Sequence, residues 1–215
     1  MQWTLLVGGL GLLTAYAAAR LHGMLGRVHA LETFAAAESM ATESASDSPA
    51  VAERDPLAEV GEPDQSLWDK ARIAAYERSA TASQAPPIGV LSIPAIDLRV
   101  PIFDGTSEVA LNRGAGRIEG TADIDAVGNL GLAGHRDGFF RGLKDIERAD
   151  VIDIQTRGGT RHYRVTDTFI VDPTDVHVLD ATDHATLTLV TCYPFYFVGE
   201  APKRYIVKAV EIAAR

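Results

Sequence analysis

Ala185-Thr186-Leu187-Thr188-Leu189-Val190-Thr191-Cys192 is an apolar, β-branched run that ends at the only cysteine of the chain. Its period of two puts Leu187, Leu189 and Thr191 on one face and Thr186, Thr188, Val190 and Cys192 on the other. The leucines can enter a core while the thiol looks the opposite way. Tyr193-Pro194-Phe195 follows at once, so Cys192 stands at a strand end beside a loop. Two readings fit such a cysteine: a small buried hydrophobe, or a nucleophile held rigidly at the edge of a groove.

Working outward from this strand, the texture stays β from Pro86-Pro87 onward. Ile88–Ile93 and Leu98–Phe103 read as strands, the first closed by Pro94. Thr106–Gly114 suits a short helix, with Ser107 as N-cap and Gly114 as C-cap. Asn129–His135 reads as a strand broken by Gly131 and Gly134, and Arg204–Ile212 as the last strand. Val151–Ile154 and Arg161–Val171 pair across Gly158-Gly159, a hairpin turn signal. Short strands with turn-rich connections and little helix imply a mainly β fold, a closed or nearly closed barrel rich in antiparallel pairs.

Two further segments carry chemistry. Ala133-Gly134-His135-Arg136-Asp137-Gly138-Phe139-Phe140 supplies an imidazole, and Pro202-Lys203-Arg204-Tyr205-Ile206-Val207 supplies a guanidinium. A thiol near its reference pKa of about 8.5 is only slightly ionised at neutral pH, so it needs a base or a cation nearby. A nucleophile, a proton carrier and a cation that does not titrate are the parts of an acyl-transfer site.

Thr188-Leu189-Val190-Thr191-Cys192 resembles the TLxTC signature of sortases, the cysteine transpeptidases of bacterial surfaces. The histidine and arginine segments resemble those of the same family, in the family's order, and the likeness runs from about Ile88 to Ala209. Tyr193-Pro194-Phe195-Tyr196-Phe197-Val198-Gly199 and the helix-like Ser66–Tyr76 are similar to class D-type members; Gly138, where many relatives carry Thr, departs from the pattern. The resemblance implies an eight-stranded β-barrel with short helices, preceded by an N-terminal transmembrane helix. It implies that Cys192 forms a thioester with a secreted protein carrying a C-terminal, LPxTG-like sorting signal. His135 would move protons, Arg204 would hold the oxyanion, and an amine, from a peptidoglycan peptide or a protein lysine, would accept the chain. A same-fold peptidase that hydrolyses its thioester and an inactive envelope binding module stay open. An L,D-transpeptidase is excluded, since its Ser-His-Gly-Cys type motif is absent.

Three more residues are candidate substrate contacts, each with a plainer alternative. Thr191 either touches substrate or packs beside the cysteine. Asp137 orients His135 or Arg136, or stabilises a turn. Tyr193 opens an aromatic loop that suits a groove wall or a loop tucked onto the barrel. His22, His29, His162, His177 and His184 lie among anchor, stalk or polar residues and read as solvated or locally hydrogen-bonded. Asp123 with Asp125, and Asp172 with Asp175, lack the ligand count of a calcium loop. No cofactor or metal is expected.

Net charge is −9 and no Lys/Arg run occurs, which argues against nucleic-acid binding. Trp3 to Ala19 is uncharged and apolar, about 25 Å as a helix against a hydrocarbon core of about 30 Å. It reads as a membrane anchor; a cleaved signal peptide with small residues at Ala17-Ala18-Ala19, or a buried helix, are the alternatives. Arg20 and Arg27 favour a cytoplasmic C-terminal flank by the positive-inside rule. The resemblance requires the catalytic domain on the extracytoplasmic side of the bacterial cytoplasmic membrane, and long domains translocate largely regardless of charge. The expected layout is an anchor at 1–27, a flexible Ala/Ser/Glu stalk at 28–62, a helical lead-in at 63–85 and a barrel at 86–215. In the lead-in, Ser66 and Asp69 resemble a capping box, and Trp68, Ala71, Ala75 and Tyr76 share a face. That face packs on the barrel or covers its groove.

Overall fold

The computed structural model describes residues 63, 65, 66, 68, 70–196 and 201–213. The expected anchor and stalk lie outside the described residues, as do Asp69 and Phe197–Gly199. No helix of the described residues is long and apolar enough to cross a membrane.

Eight strands close into a barrel. They are β1 (Gly89–Ile93), β2 (Leu98–Asp104), β3 (Ala115–Arg117), β4 (Asn129–Ala133), β5 (Val151–Thr156), β6 (Gly159–Val171), β7 (Thr186–Tyr193) and β8 (Lys203–Ile212). Round the barrel the order is β1-β2-β3-β4-β7-β8-β6-β5. The β2–β3 and β4–β7 pairs are parallel, and the rest are antiparallel. Inward positions alternate along the strands, as period two requires. Leu91, Ile93, Ile102, Leu130, Leu132, Ile152, Ile154, Leu187, Leu189 and Val207 fill the interior.

Seven of the strands match the sequence expectation, and β3 is the addition. Ala115-Gly116-Arg117 is too short to show alternation. It becomes a strand because β2 and β4 flank it and supply both sets of hydrogen-bonding partners. The hairpin turn falls on Arg157-Gly158 rather than Gly158-Gly159. Gly159 pairs with Thr156 at a φ of 121°, a conformation open to glycine. The fourth strand stops at Ala133, so His135 sits in the connection beyond it.

Among the described residues two α-helices flank the barrel. α1 (Lys70–Thr81) begins later than the Ser66 start expected for the lead-in. α2 (Glu108–Arg113) has the expected ends: Ala110 N donates to Ser107 Oγ, and Gly114 N donates to Ala110 O. Trp68 and Tyr76, both buried, meet edge to face with ring centroids 5.2 Å apart. α1 packs on α2 and on the connection that follows β4, so it reaches the histidine segment itself.

Candidate active site

β4, β7 and β8 lie side by side and end at the same rim. In the parallel β4–β7 pair, Ala133 is opposite Val190. Cys192 lies two residues beyond Val190 on the same outward face of β7, and His135 lies two residues beyond Ala133 in the connection that leaves β4. In the antiparallel β7–β8 pair, Cys192 is the direct partner of Arg204. Thiol, imidazole and guanidinium thus arise from three adjacent backbones, about 4.8 Å apart from one to the next.

The half-buried Cys192 is on the face opposite Leu187 and Leu189, as the sequence parity requires. That face is not open along its whole length. Thr186 and Thr188 share it and are buried. The segment joining β6 to β7 lies over them: Lys208 Nζ and Asn129 Nδ2 both donate to Val178 O, and Lys208 Nζ also donates to Thr188 Oγ1 at 2.8 Å. On this face only Val190 and Cys192, at the end of the strand, are partly exposed.

Thr191 is not a substrate-facing group. It is 2% exposed on the inward face, and its hydroxyl donates to Gly134 O at 2.7 Å. Gly134 N donates to Val190 O at 3.2 Å, so the glycine is tied to β7 on both sides. A Cβ on Gly134 would come within 2.6 Å of the buried Phe140 ring. The missing side chain is what lets Phe140 pack under the turn. Gly138 N and Phe140 N both donate to His135 O, at 3.1 and 3.2 Å, and complete a rigid seat for the imidazole.

His135 is largely enclosed. Its Nε2 lies 3.5 Å from Glu108 Oε1, with side-chain exposures of 23% and 60%. The approach is a contact at ion-pair distance, an ion pair only if the ring is protonated, and not a formed hydrogen bond, for Nε2 has no hydrogen-bond partner among the described residues. Burial first, then the charge of Arg72, hold its pKa below the ordinary imidazole range; the Glu108 and Asp137 carboxylates offset this in part. The resting ring is therefore neutral at pH 7.

Asp137 is bound to the lead-in. Its carboxylate faces Arg72 Nε at 3.4 Å, and its carbonyl accepts the Trp68 indole N–H at 2.6 Å. Tyr193 stacks with Tyr205 at 6.4 Å and meets Phe195 edge to face at 6.0 Å. The loop is thus tucked onto the barrel at this point, after a cis Tyr193-Pro194 bond. Arg136 Nη1 donates to Pro194 O at 2.8 Å and ties the histidine segment to the cysteine loop. Arg204 Nη1 donates to the carbonyls of Lys203 and Ala201, at 3.0 and 3.2 Å. Those bonds brace one arm of the fork.

The remaining candidates are engaged elsewhere. His162 Nδ1 meets Asp153 Oδ1 at 2.7 Å, and His184 Nδ1 meets Asp183 Oδ1 at 2.7 Å. Asp123 pairs with Arg117 at 3.1 Å, Asp125 accepts from Thr156 at 2.6 Å, and Asp172 pairs with Lys203 at 2.7 Å. Among the described residues no group of three or more His, Cys, Asp or Glu side chains could hold a metal ion. The sequence reading missed Glu108, Asn112 and Arg72. Each comes near His135 through tertiary packing, and no local pattern marks them.

Residues 91–212 match the sortase domain family, so the chain belongs to the sortase family. It is 38% identical to sortase D of Bacillus subtilis over 55% of this chain and 61% of that protein. It is 32% identical to sortase A of Listeria monocytogenes over 49% of each. The chain therefore spans about half to three fifths of the length of these curated relatives. Among solved structures, a Clostridium perfringens sortase D5 transpeptidase aligns with a TM-score of 0.55 at 27% identity, covering 69% of this chain and 92% of that one. Sortase E1 from Streptomyces coelicolor, solved with a tripeptide in its active site, aligns with a TM-score of 0.54 at 30% identity, covering 61% and 92%.

Proposed function

We propose that this chain is a membrane-anchored cysteine transpeptidase, class D-like, that cuts a C-terminal LPxTG-like sorting signal of a secreted protein and joins it to an amine. The observation that carries this reading is the register that sets Cys192 directly opposite Arg204 and ends the neighbouring β4 two residues before His135. The 38% identity to sortase D of Bacillus subtilis supports the class.

The neutral His135 takes the thiol proton as Cys192 sulfur attacks the scissile carbonyl carbon. The oxyanion is met by the Arg204 guanidinium, which stays charged through the reaction. The C–N bond then breaks, His135 returns its proton to the departing amine, and a Cys192 thioester remains. An incoming amine, from a peptidoglycan peptide or a protein lysine, attacks the thioester. It gives up a proton to His135, which passes it to the departing Cys192 sulfur. No metal or cofactor is required by these steps. Trp3–Ala19 and the residues after it serve as a single-pass anchor, with the barrel on the extracytoplasmic side of the bacterial cytoplasmic membrane.

The test is incubation with LPxTG-like peptides, with and without an amine acceptor, read by mass spectrometry. A covalent adduct on Cys192 and an amine-dependent ligated product support the reading. Cleavage that ignores added amine would make the protein a peptidase, and no adduct on any peptide would point to a binding module.

A further inference from the structure

Around His135 a polar network runs from the lead-in helix to the imidazole. Ser79 of α1 accepts from Asn112 Nδ2 at 2.8 Å. Asn112 Nδ2 also donates to Glu108 Oε1 at 3.3 Å, and Arg72 Nη1 donates to Asn112 Oδ1. Arg72 then reaches Asp137, next but one to His135, and lies over the Trp68 ring at 4.2 Å. Asn112 is 2% exposed and Ser79 4%, so the middle of the network is sealed from water. Buried amides placed like this are costly unless satisfied, and here their bonds aim one carboxylate oxygen at the imidazole.

The geometry points to Glu108 as the positioning residue for His135, held in place by Asn112 and the lead-in helix and ready to bond Nε2 when the ring becomes charged. The inference rests on the proposed transpeptidase chemistry and adds a third group to it. At rest the ring is neutral, Nε2 is buried, and the carboxylate stands 3.5 Å away. For Nδ1 to take the Cys192 proton, the resting ring must already carry its hydrogen on Nε2; once the ring is charged, Glu108 Oε1 is the acceptor in reach of that Nε2–H. A small approach turns the ion-pair contact into a charge-assisted hydrogen bond. Two opposed effects then divide the cycle. Enclosure and Arg72 of α1 keep the resting ring uncharged and able to act as a base. Glu108 of α2 and Asp137 of the ring's own segment favour the charged intermediate. Cys192 on β7 and Arg204 on β8 are paired on the strands next to β4. The lead-in helix is thereby part of the site's electrostatics as well as of its packing.

The experiment is NMR titration of the His135 ring in the full chain, alongside kcat and KM against pH. Glu108→Gln keeps the shape and removes the charge at an exposed position. It should move the His135 midpoint to lower pH and lower kcat roughly tenfold at unchanged KM. Asn112→Ala changes no charge, yet by releasing Glu108 it should move the midpoint the same way. A His135 midpoint unmoved by Glu108→Gln overturns the inference, whether or not activity changes. If Asn112→Ala fails to fold, the Glu108→Gln titration decides alone. Absence of transpeptidation in the wild-type protein would remove the function reading, and the ring titration would still test the Glu108 contact.

Discussion

Cys192 and Arg204 are direct partners across the antiparallel pair of β7 and β8. Their side chains leave the sheet on the same face, with Cβ atoms about 5 Å apart. Backbone register thereby sets the base of the arginine side chain beside the thiol. A slip of one residue would carry Arg204 to the opposite face.

Arg204→Lys keeps the charge and loses the fork. Since one arm already bonds the Lys203 and Ala201 carbonyls, a single ammonium cannot both brace the loop and meet the oxyanion. The expected result is a fall in kcat of roughly a hundredfold or more, with the thermal melt unchanged. Peptide-cleavage kinetics beside a circular-dichroism melt check it, and retained kcat removes the oxyanion role.

The pH dependence follows from the lowered pKa of His135, caused first by burial and then by Arg72. Activity that needs the neutral ring should hold below the ordinary imidazole value of about 6.5 before it falls. Stability has the matching sign. Above that value both folded and unfolded rings are neutral, and the group contributes nothing. As pH falls through it, the unfolded chain binds a proton that the folded ring refuses, and the fold loses stability down to the folded pKa. His135→Gln should remove this loss, so its melting temperature should gain on the wild type only on the acid side. Equal pH dependence in both proteins would contradict the enclosed, neutral ring.

Gly134→Ala sets a methyl group against the Phe140 ring at 2.6 Å. Overpacking of this kind costs about 1–3 kcal/mol. Because Phe140 N also bonds His135 O, relief of the clash displaces the imidazole. Both the melting temperature and kcat/KM should drop, and loss of neither would show that the turn is slack.

Thr191→Val separates an inward strut from a substrate contact. It strands Gly134 O without its 2.7 Å donor, at an expected cost of about 1–3 kcal/mol in denaturant unfolding. KM for the peptide should stay where it was. A raised KM at full stability would restore Thr191 to the groove.

Where the sequence alternates, it also predicts the strand. Val151–Thr156 shows buried positions at every second residue, and Ser107 with Gly114 bounds α2 as read. β3 escapes because three residues hold no period, and only its two neighbours make it a strand. At the site, the three central residues were readable from their segments and from parity. Parity alone already grouped Thr191 with Leu187 and Leu189, so its inward position was written in the same run. Asp137 and Glu108 are different. Their partners come from α1 and from the His135 segment, distant in sequence, and nothing local encodes that meeting. The cover over Thr186 and Thr188 is equally non-local, since it depends on the Val178 carbonyl reaching Lys208 and Asn129.

The parallel joining of β4 to β7 has a temporal consequence. Antiparallel neighbours can be zipped from a tight turn, but a parallel pair must wait for the intervening chain to loop around. Between Ala133 and Val190 lie β5, β6 and the covering segment, so His135 reaches Cys192 only after most of the barrel has been assembled. Until that closure the two segments that carry His135 and Cys192 are not yet held side by side. Ignition of the centre is thus a late event, and reactivity at Cys192 would serve as a stopwatch for completion of the fold.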